Sequence, residues 1–164
     1  MFHKRKYTPI NPSKYDGNPT NIIMRSSWET RFATWCDRSD HVVKWKSEET
    51  VVPYRSPIDN NIHRYFIDFT IQIRDKHDQL NTYLVEIKPK VQCSPPKFKG
   101  RRTKRYLAEQ KAFIVNSAKW KAAEQYALDR GQRFIIINED DLGLTWKTGI
   151  ETVSYTHLTL PTKA

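Results

Sequence analysis

Two apolar segments decide the fold of this 164-residue chain: Arg64-Tyr65-Phe66-Ile67-Asp68-Phe69-Thr70-Ile71 and, shortly after it, Tyr83-Leu84-Val85-Glu86-Ile87-Lys88. Their β-branched and aromatic residues favour strands, and the polar stretch 75–81 between them suits a turn. We therefore predict a hairpin of strands at 63–74 and 82–88. Successive strand side chains point to opposite faces, so Glu86 and Lys88 should share one face. By the same rule, Asp68 should point away from the apolar face of its own strand. Those apolar faces would be formed by Tyr65, Ile67, Phe69, Ile71 and Ile73, and by Tyr83, Val85 and Ile87.

Asp68, Glu86 and Lys88 suit metal-assisted cleavage of a phosphodiester. Carboxylate oxygens are the ligands that Mg²⁺ prefers, and a cation beside the attacking water stabilises the charge that develops. The spacing alone is weak evidence, because 28% of the residues are charged and Glu109-Gln110-Lys111 repeats it. That repeat looks helical, where residues two apart do not share a face. The alternative for Glu86 and Lys88 is a solvated strand face with a cross-strand charge pair, and their apolar surroundings favour the functional interpretation.

Composition favours a nucleic-acid partner. The formal net charge is +10 and the pI is about 9.6, an excess that attracts polyanions, of which duplex DNA is the commonest. A solubilising charge or a membrane-surface role is the alternative. No apolar run is long enough to cross a bilayer, and no apolar stretch follows the basic N-terminus, so we expect neither membrane association nor secretion. Two cysteines without metal-ligand spacing suit a reducing cytoplasm.

The order of predicted elements indicates an α/β protein with a central mixed sheet flanked by helices. We expect an extended N-terminal arm at 1–24, a folded domain at 25–150, and a non-native or disordered tail at 151–164. The elements within the domain would be a helix at 26–39, short strands in 42–54, the hairpin, helices at 103–115 and from Asn116 or Ser117 to Gly131, and a strand at 134–137.

A basic segment, residues 97–105, follows the second strand of the hairpin. It holds six cations in nine residues, and cations at a helix N-terminus oppose the helix dipole, so we expect them to serve phosphate contact. A solubilising loop is the alternative. We predict no sequence-specific readout, because no recognition-helix signature appears. The DNA-binding residues would be Arg64, Lys90, Lys97, Lys99, Arg101, Arg102, Lys104 and Arg105, with Lys88 on the same surface.

These motifs resemble the PD-(D/E)XK nuclease superfamily, with Ile67 where the motif's name has proline. A longer set is similar to the head completion nucleases of tailed phages (myoviruses), a branch related to the TnsA-type transposon endonucleases. The stretches that carry this resemblance are Tyr15-Asp16-Gly17, Arg25-Ser26-Ser27-Trp28-Glu29, Val52-Pro53-Tyr54, Arg64-Tyr65-Phe66-Ile67-Asp68, Glu86-Ile87-Lys88-Pro89-Lys90 and Asn116-Ser117-Ala118-Lys119-Trp120-Lys121.

The resemblance implies a restriction-endonuclease-like three-layer core and an endonuclease that cleaves double-stranded DNA with Mg²⁺, which Mn²⁺ can replace. It implies action in completing DNA-filled heads, with phage head or portal-vertex proteins as further partners, in the host cytoplasm or the virion. Asp68 and Glu86 would hold the metal together with the Ile87 carbonyl, and Lys88 would orient a water and stabilise charge on the phosphate.

Two questions stay open at this level. Glu29 would be a further catalytic acid, but Ser26-x-x-Glu29 is also a capping box that needs no catalysis. Glu48 and Glu49 are more distant candidates that we interpret as solvated strand-end charges. The alternative functions are a non-catalytic structural protein at the head vertex, built on a nuclease scaffold, and a TnsA-like nuclease of transposon ends or repair.

Overall fold

The structure is a computed structural model that describes residues 4–142. None of the helices in that range is both long and apolar enough to cross a membrane. The elements are β1 (Arg5–Tyr7), β2 (Ile22–Met24), α1 (Ser27–Arg38), β3 (Val42–Ser47), β4 (Val51–Arg55), β5 (Ile62–Phe66), β6 (Phe69–Arg74), β7 (Leu80–Ile87), α2 (Lys104–Leu128) and β8 (Arg133–Ile137). The proposed tail at 151–164 lies outside the described residues.

The centre of the fold is a four-stranded sheet in the order β3-β6-β7-β8. Neighbours β3, β6 and β7 run antiparallel, whereas β8 lies parallel to β7, with Val85 opposite both Phe69 and Ile135. The long α2 crossover between β7 and β8 is what a parallel connection requires. The predicted α/β class, with a central mixed sheet between helices in a restriction-endonuclease-like core, is confirmed.

Each face of the sheet has its own apolar core. On the first face, α1 contributes Phe32, Trp35 and Cys36, which pack with the inward residues of the strands, including Val85. On the second face, α2 and the β4–β5 hairpin cover Leu84. We call these the α1 core and the α2 core. Glu86 follows Leu84 by two residues along β7, so its side chain points to the α2 face.

The prediction of one strand at 63–74 with a single apolar face is wrong, because this stretch forms two strands, β5 and β6. Tyr65 and Ile67 belong to the α2 core, whereas Phe69 belongs to the α1 core. The cause is that β5 pairs with β4 in a separate two-stranded sheet, and the chain enters the central sheet only at β6. Asp68 therefore lies at the point where the chain passes between the two cores. The hairpin of β6 and β7 is confirmed.

The segment 4–24 joins the α1 core through Tyr7, Tyr15, Ile22 and Met24. Tyr15 forms a parallel bridge with Trp45 of β3 and covers that edge of the central sheet, while Ile22 and Met24 are buried. Asp37, which is fully buried, accepts hydrogen bonds from the backbone N–H groups of Ile10 and Asn11 at 2.7 and 2.9 Å. A buried carboxylate needs such donors, and here they tie this segment to α1.

Helix α2 is one continuous element of 25 residues, so the predicted division at Asn116 or Ser117 is wrong. The Ser117 hydroxyl donates to the carbonyl oxygen of Phe113 at 2.8 Å, a bond available inside a helix that removes the need for a cap. The C-terminal half packs on the sheet through Ala123 and Ala127. In contrast, every residue at 107–112 is exposed, so this part of α2 lies outside the core.

Candidate active site

Asp68, Glu86 and Lys88 come together where β7 ends. Asp68 precedes β6, and its Oδ2 accepts a hydrogen bond of 2.9 Å from the backbone N–H of Ile87. Lys88 follows β7 directly, and its backbone N–H donates to the carbonyl oxygen of Ile137 in β8 at 2.9 Å. Its ammonium Nζ is 3.4 Å from Glu86 Oε1. The sequence-predicted trio is thus held by backbone contacts across three adjacent strands.

Each of the two carboxylates has one oxygen engaged by the protein. Asp68 uses Oδ2 for the Ile87 amide, and Glu86 uses Oε2 to accept a hydrogen bond of 2.5 Å from the Tyr65 hydroxyl. Within residues 4–142, Asp68 Oδ1 accepts no hydrogen bond, and Glu86 Oε1 faces only the Lys88 ammonium. The site therefore offers one carboxylate oxygen from each acid.

Burial makes this arrangement electrostatically costly. Burial raises the pKa of Asp68 well above its usual value, and the neighbouring Glu86 charge raises it further, against the opposing effects of the Ile87 amide and Lys88. Glu86 is only 7% exposed. Two buried acids that repel one another are stabilised by a cation placed between them, which is the chemistry of a metal site.

The donor set fits Mg²⁺, although no group of three or more His, Cys, Asp and Glu side chains in the described range is arranged to hold a metal by itself. Mg²⁺ keeps several waters and needs one or two carboxylates. The Ile87 N–H points to Asp68, and the N–H and C=O of one strand residue face the same side. The Ile87 carbonyl therefore faces the same side as Asp68, where it could serve as a third ligand beside the two carboxylates.

Glu29 takes part in the cap of α1 and also lies near the two acids of the site. The Ser26 hydroxyl accepts a hydrogen bond from its backbone N–H at 3.2 Å, and its own Oε2 accepts one from the Arg25 N–H at 2.9 Å. This is a capping arrangement at the start of α1. Burial raises the Glu29 pKa, and although the Arg25 amide opposes that shift, the Glu48 and Glu86 charges add to it. Glu29 is thus within electrostatic reach of the acid pair.

Replacing Glu29 by glutamine should separate these roles. Glutamine can still accept the Arg25 hydrogen bond, and its neutrality suits a site that disfavours charge, so we expect unchanged stability and a loss of DNA cleavage. Glu29→Ala should also remove the hydrogen bond from the Arg25 N–H, which we expect to cost about 1 kcal/mol of unfolding free energy. Cleavage assays and thermal melts of both variants test this. Parental activity in Glu29→Gln, with only Glu29→Ala destabilised, would leave Glu29 a helix cap.

Sequence reasoning missed the partners of these acids. Glu48, interpreted as a solvated strand-end charge, makes a two-point ion pair with Arg25 at 2.8 and 3.2 Å. Its backbone N–H donates to the Asp68 carbonyl oxygen at 3.2 Å, which places the pair beside the site. The Tyr65 contact to Glu86 was also missed. Strand alternation could not predict this contact, because it places Tyr65 on the same apolar face as Phe69.

The proposed DNA-binding residues lie in several places. Arg64 is on the outward face of the β4–β5 hairpin, with its guanidinium carbon 5.6 Å from the Phe66 ring centroid. Lys90 Nζ pairs with Asp140 at 3.0 Å, and Arg105 Nε pairs with Glu109 at 2.8 Å. The remainder are exposed in the loop before α2 and at its first residue: Lys97, Lys99, Arg101, Arg102 and Lys104.

Two comparisons with known proteins bear on this site. The sequence model of the TnsA-like endonuclease N-terminal family matches residues 39–139, which include Asp68, Glu86 and Lys88 but not Glu29. The head completion nuclease of Enterobacteria phage T4 is 38% identical over 146 residues, which are 87% of this chain and 95% of that protein. The likeness therefore extends over nearly the whole length of the phage protein.

Proposed function

The chain belongs to the TnsA-like endonuclease family, and from that premise we propose that it is a Mg²⁺-dependent endonuclease that cleaves duplex DNA while phage heads are completed after packaging. The observation that carries the chemistry is the pair of buried acids, Asp68 and Glu86, each with one oxygen held by the protein and one left for a cation, beside the ammonium of Lys88. The head completion role rests on the T4 relative, because that likeness covers 95% of its length.

The residues divide the hydrolysis between them. Asp68 Oδ1, Glu86 Oε1 and the Ile87 carbonyl would hold Mg²⁺, which supplies Lewis-acid stabilisation of the charge that develops on the phosphate. Lys88 would orient the attacking water and donate to a phosphate oxygen. As the water oxygen bonds to phosphorus, the water loses a proton, the P–O bond to the leaving deoxyribose breaks, and the leaving oxygen takes up a proton. The buried side of the site excludes bulk water, which strengthens these interactions.

Nicking of supercoiled plasmid DNA by the purified chain tests the function directly. We expect relaxed circles with Mg²⁺ or Mn²⁺ and none with EDTA, on plasmids of unrelated sequence. A chain that leaves plasmids intact with either metal, while still binding DNA, would instead be a structural protein of the head vertex. We place its action in the host cytoplasm or the virion, with head or portal-vertex proteins as further partners.

The basic segment should make DNA binding strongly dependent on salt. Each neutralised phosphate contributes a slope of about −0.9 to log affinity against log salt concentration. We expect Arg101→Ala combined with Arg102→Ala to flatten that slope by about one to two units, equally on unrelated DNA sequences. Filter-binding or anisotropy titrations at several salt concentrations measure this.

A charge-matched double variant, Lys76→Ala with Lys121→Ala, removes two exposed cations that lie outside the basic segment and serves as the control. Equal slopes for the parent and the Arg101/Arg102 variant would place the loop away from DNA. A loss confined to particular DNA sequences would indicate base readout instead of phosphate contact.

A further inference from the structure

Tyr65 is buried against the candidate metal site. The residue is 5% exposed, and its hydroxyl donates to Glu86 Oε2 at 2.5 Å. The other oxygen of Glu86, Oε1, is 3.4 Å from the Lys88 ammonium. The two contacts differ in kind: the hydroxyl donates a short hydrogen bond to Oε2, whereas the ammonium lies beside Oε1 at the longer distance of 3.4 Å and leaves that oxygen open to a metal ion.

The break between β5 and β6 explains how Tyr65 reaches this position. It places Tyr65 in the α2 core, on the sheet face where Leu84 and Glu86 also point. A carboxylate on this apolar face needs donors for both oxygens. A hydrogen bond from a hydroxyl to an ionised carboxylate is short and strong, so the Tyr65 hydroxyl fixes the orientation of Glu86.

We infer that Tyr65 is a positioning residue for metal binding, which orients Glu86 so that Oε1 is presented to the cation. This inference rests on the proposed function. Without the hydroxyl, Oε2 would lie buried with no donor. This would destabilise the metal-binding orientation of Glu86 and favour rotation of its side chain away from it. Groups that orient metal ligands typically contribute about 10- to 100-fold to metal affinity or activity.

Tyr54 provides a matched control within the same core. The Lys119 ammonium lies 5.6 Å from the Tyr65 ring centroid and 5.7 Å from that of Tyr54. Both tyrosines are buried in the α2 core, on paired strands. Only the Tyr65 hydroxyl reaches a carboxylate; that of Tyr54 makes no hydrogen bond among residues 4–142. A role in packing or in the Lys119 contact would be shared by both tyrosines, whereas a role in orienting Glu86 would belong to Tyr65 alone.

The experiment compares Tyr65→Phe and Tyr54→Phe with the parent by two measurements. The first is the Mg²⁺ concentration that gives half-maximal plasmid nicking, and the second is Mn²⁺ affinity by calorimetric titration without DNA. We expect Tyr65→Phe to raise the half-saturating Mg²⁺ concentration and weaken Mn²⁺ binding by about 10- to 100-fold, with DNA affinity in EDTA unchanged. Tyr54→Phe should match the parent in both measurements.

The two measurements distinguish the inference from the function on which it rests. If the parent nicks DNA and Tyr65→Phe shows parental metal dependence, or if both phenylalanine variants weaken metal binding equally, Tyr65 is only a packing residue. If the parent binds Mn²⁺ more tightly than Tyr65→Phe but never nicks DNA, the positioning role stands and the nuclease function fails. A parent that neither binds Mn²⁺ nor nicks DNA overturns both.

Discussion

Asp68→Asn should abolish metal-dependent nicking of plasmid DNA, and Glu86→Gln should do the same. Asparagine can still accept the hydrogen bond that the Ile87 N–H gives to Asp68 at 2.9 Å, so the local backbone is kept. What it loses is the negative charge that a hard divalent cation requires. DNA affinity should hold or improve in both variants, because a negative charge facing phosphate is removed. Gel-based nicking and anisotropy titrations measure the two quantities.

The Asp68 variant should also be at least as stable as the parent when metal is absent. Burial and the Glu86 charge raise the folded-state pKa of Asp68 above its unfolded value. This group therefore favours the folded state most at pH below its unfolded pKa, and the contribution is lost as the pH rises through the folded-state pKa. At neutral pH the neutral asparagine removes that cost. Mg²⁺ should raise the melting temperature of the parent but not of Asp68→Asn.

Asp78→Asn is the matched control for that variant. Asp78 lies in the turn of the same β6–β7 hairpin, with a φ of 61° that asparagine also tolerates, and its carboxylate pairs with Arg74 at the surface. It should nick DNA like the parent. If Asp68→Asn or Glu86→Gln nicked at the parental rate in Mg²⁺, the assignment of the metal carboxylates would be wrong.

Lys88→Ala should lower the rate of cleavage by about 10²-fold or more, the usual effect of removing a positioned proton-transfer or charge-stabilising group. The Lys88 side chain is 20% exposed, with its ammonium 3.4 Å from Glu86 Oε1, so solvent and substrate can reach it beside the proposed metal ligands. Its loss should reduce DNA affinity by no more than one phosphate contact. Single-turnover rates at saturating protein separate these effects.

Lys90→Ala provides the comparison for Lys88. Lys90 is exposed, and its ammonium pairs with Asp140 at 3.0 Å, so its removal should leave the single-turnover rate unchanged. A parental single-turnover rate in Lys88→Ala, with weakened binding alone, would make Lys88 an ordinary phosphate contact.

The site was predictable from the sequence where period-two alternation applies. β6 alternates buried and less buried residues along its length, and the shared face of Glu86 and Lys88 follows from their spacing of two residues. Alternation failed at Ile67 and Asp68, because the strand leaves one sheet there and enters another. The Tyr65 contact to Glu86 spans 21 residues of sequence, and the pairing of Arg25 with Glu48 spans 23. Neither has a local signal, since both depend on how the sheets and α1 pack.

The prediction of two helices in place of α2 was wrong for a different reason. Asn116 and Ser117 are favoured caps, but capping preference is local and is overridden when the flanking segments can continue one helix. Ser117 satisfies its hydroxyl within the helix, and the chain turns only after Leu128, where Gly131 adopts a φ of 66°. The glycine was the more reliable marker, because the left-handed conformation restricts residue choice more strongly than a cap does.

If the basic segment binds DNA as proposed, the exposed stretch 107–112 of α2 would make the affinity depend on conformational entropy as well as on charge. A helical segment of about a dozen residues is marginal in water unless it packs against something, and residues 107–112 are all exposed. In a complex with DNA, ordering this stretch would cost part of the interaction energy of the cations at the start of α2. The degree to which the free protein is preorganised, and not the number of basic residues alone, would then set how tightly the basic segment binds.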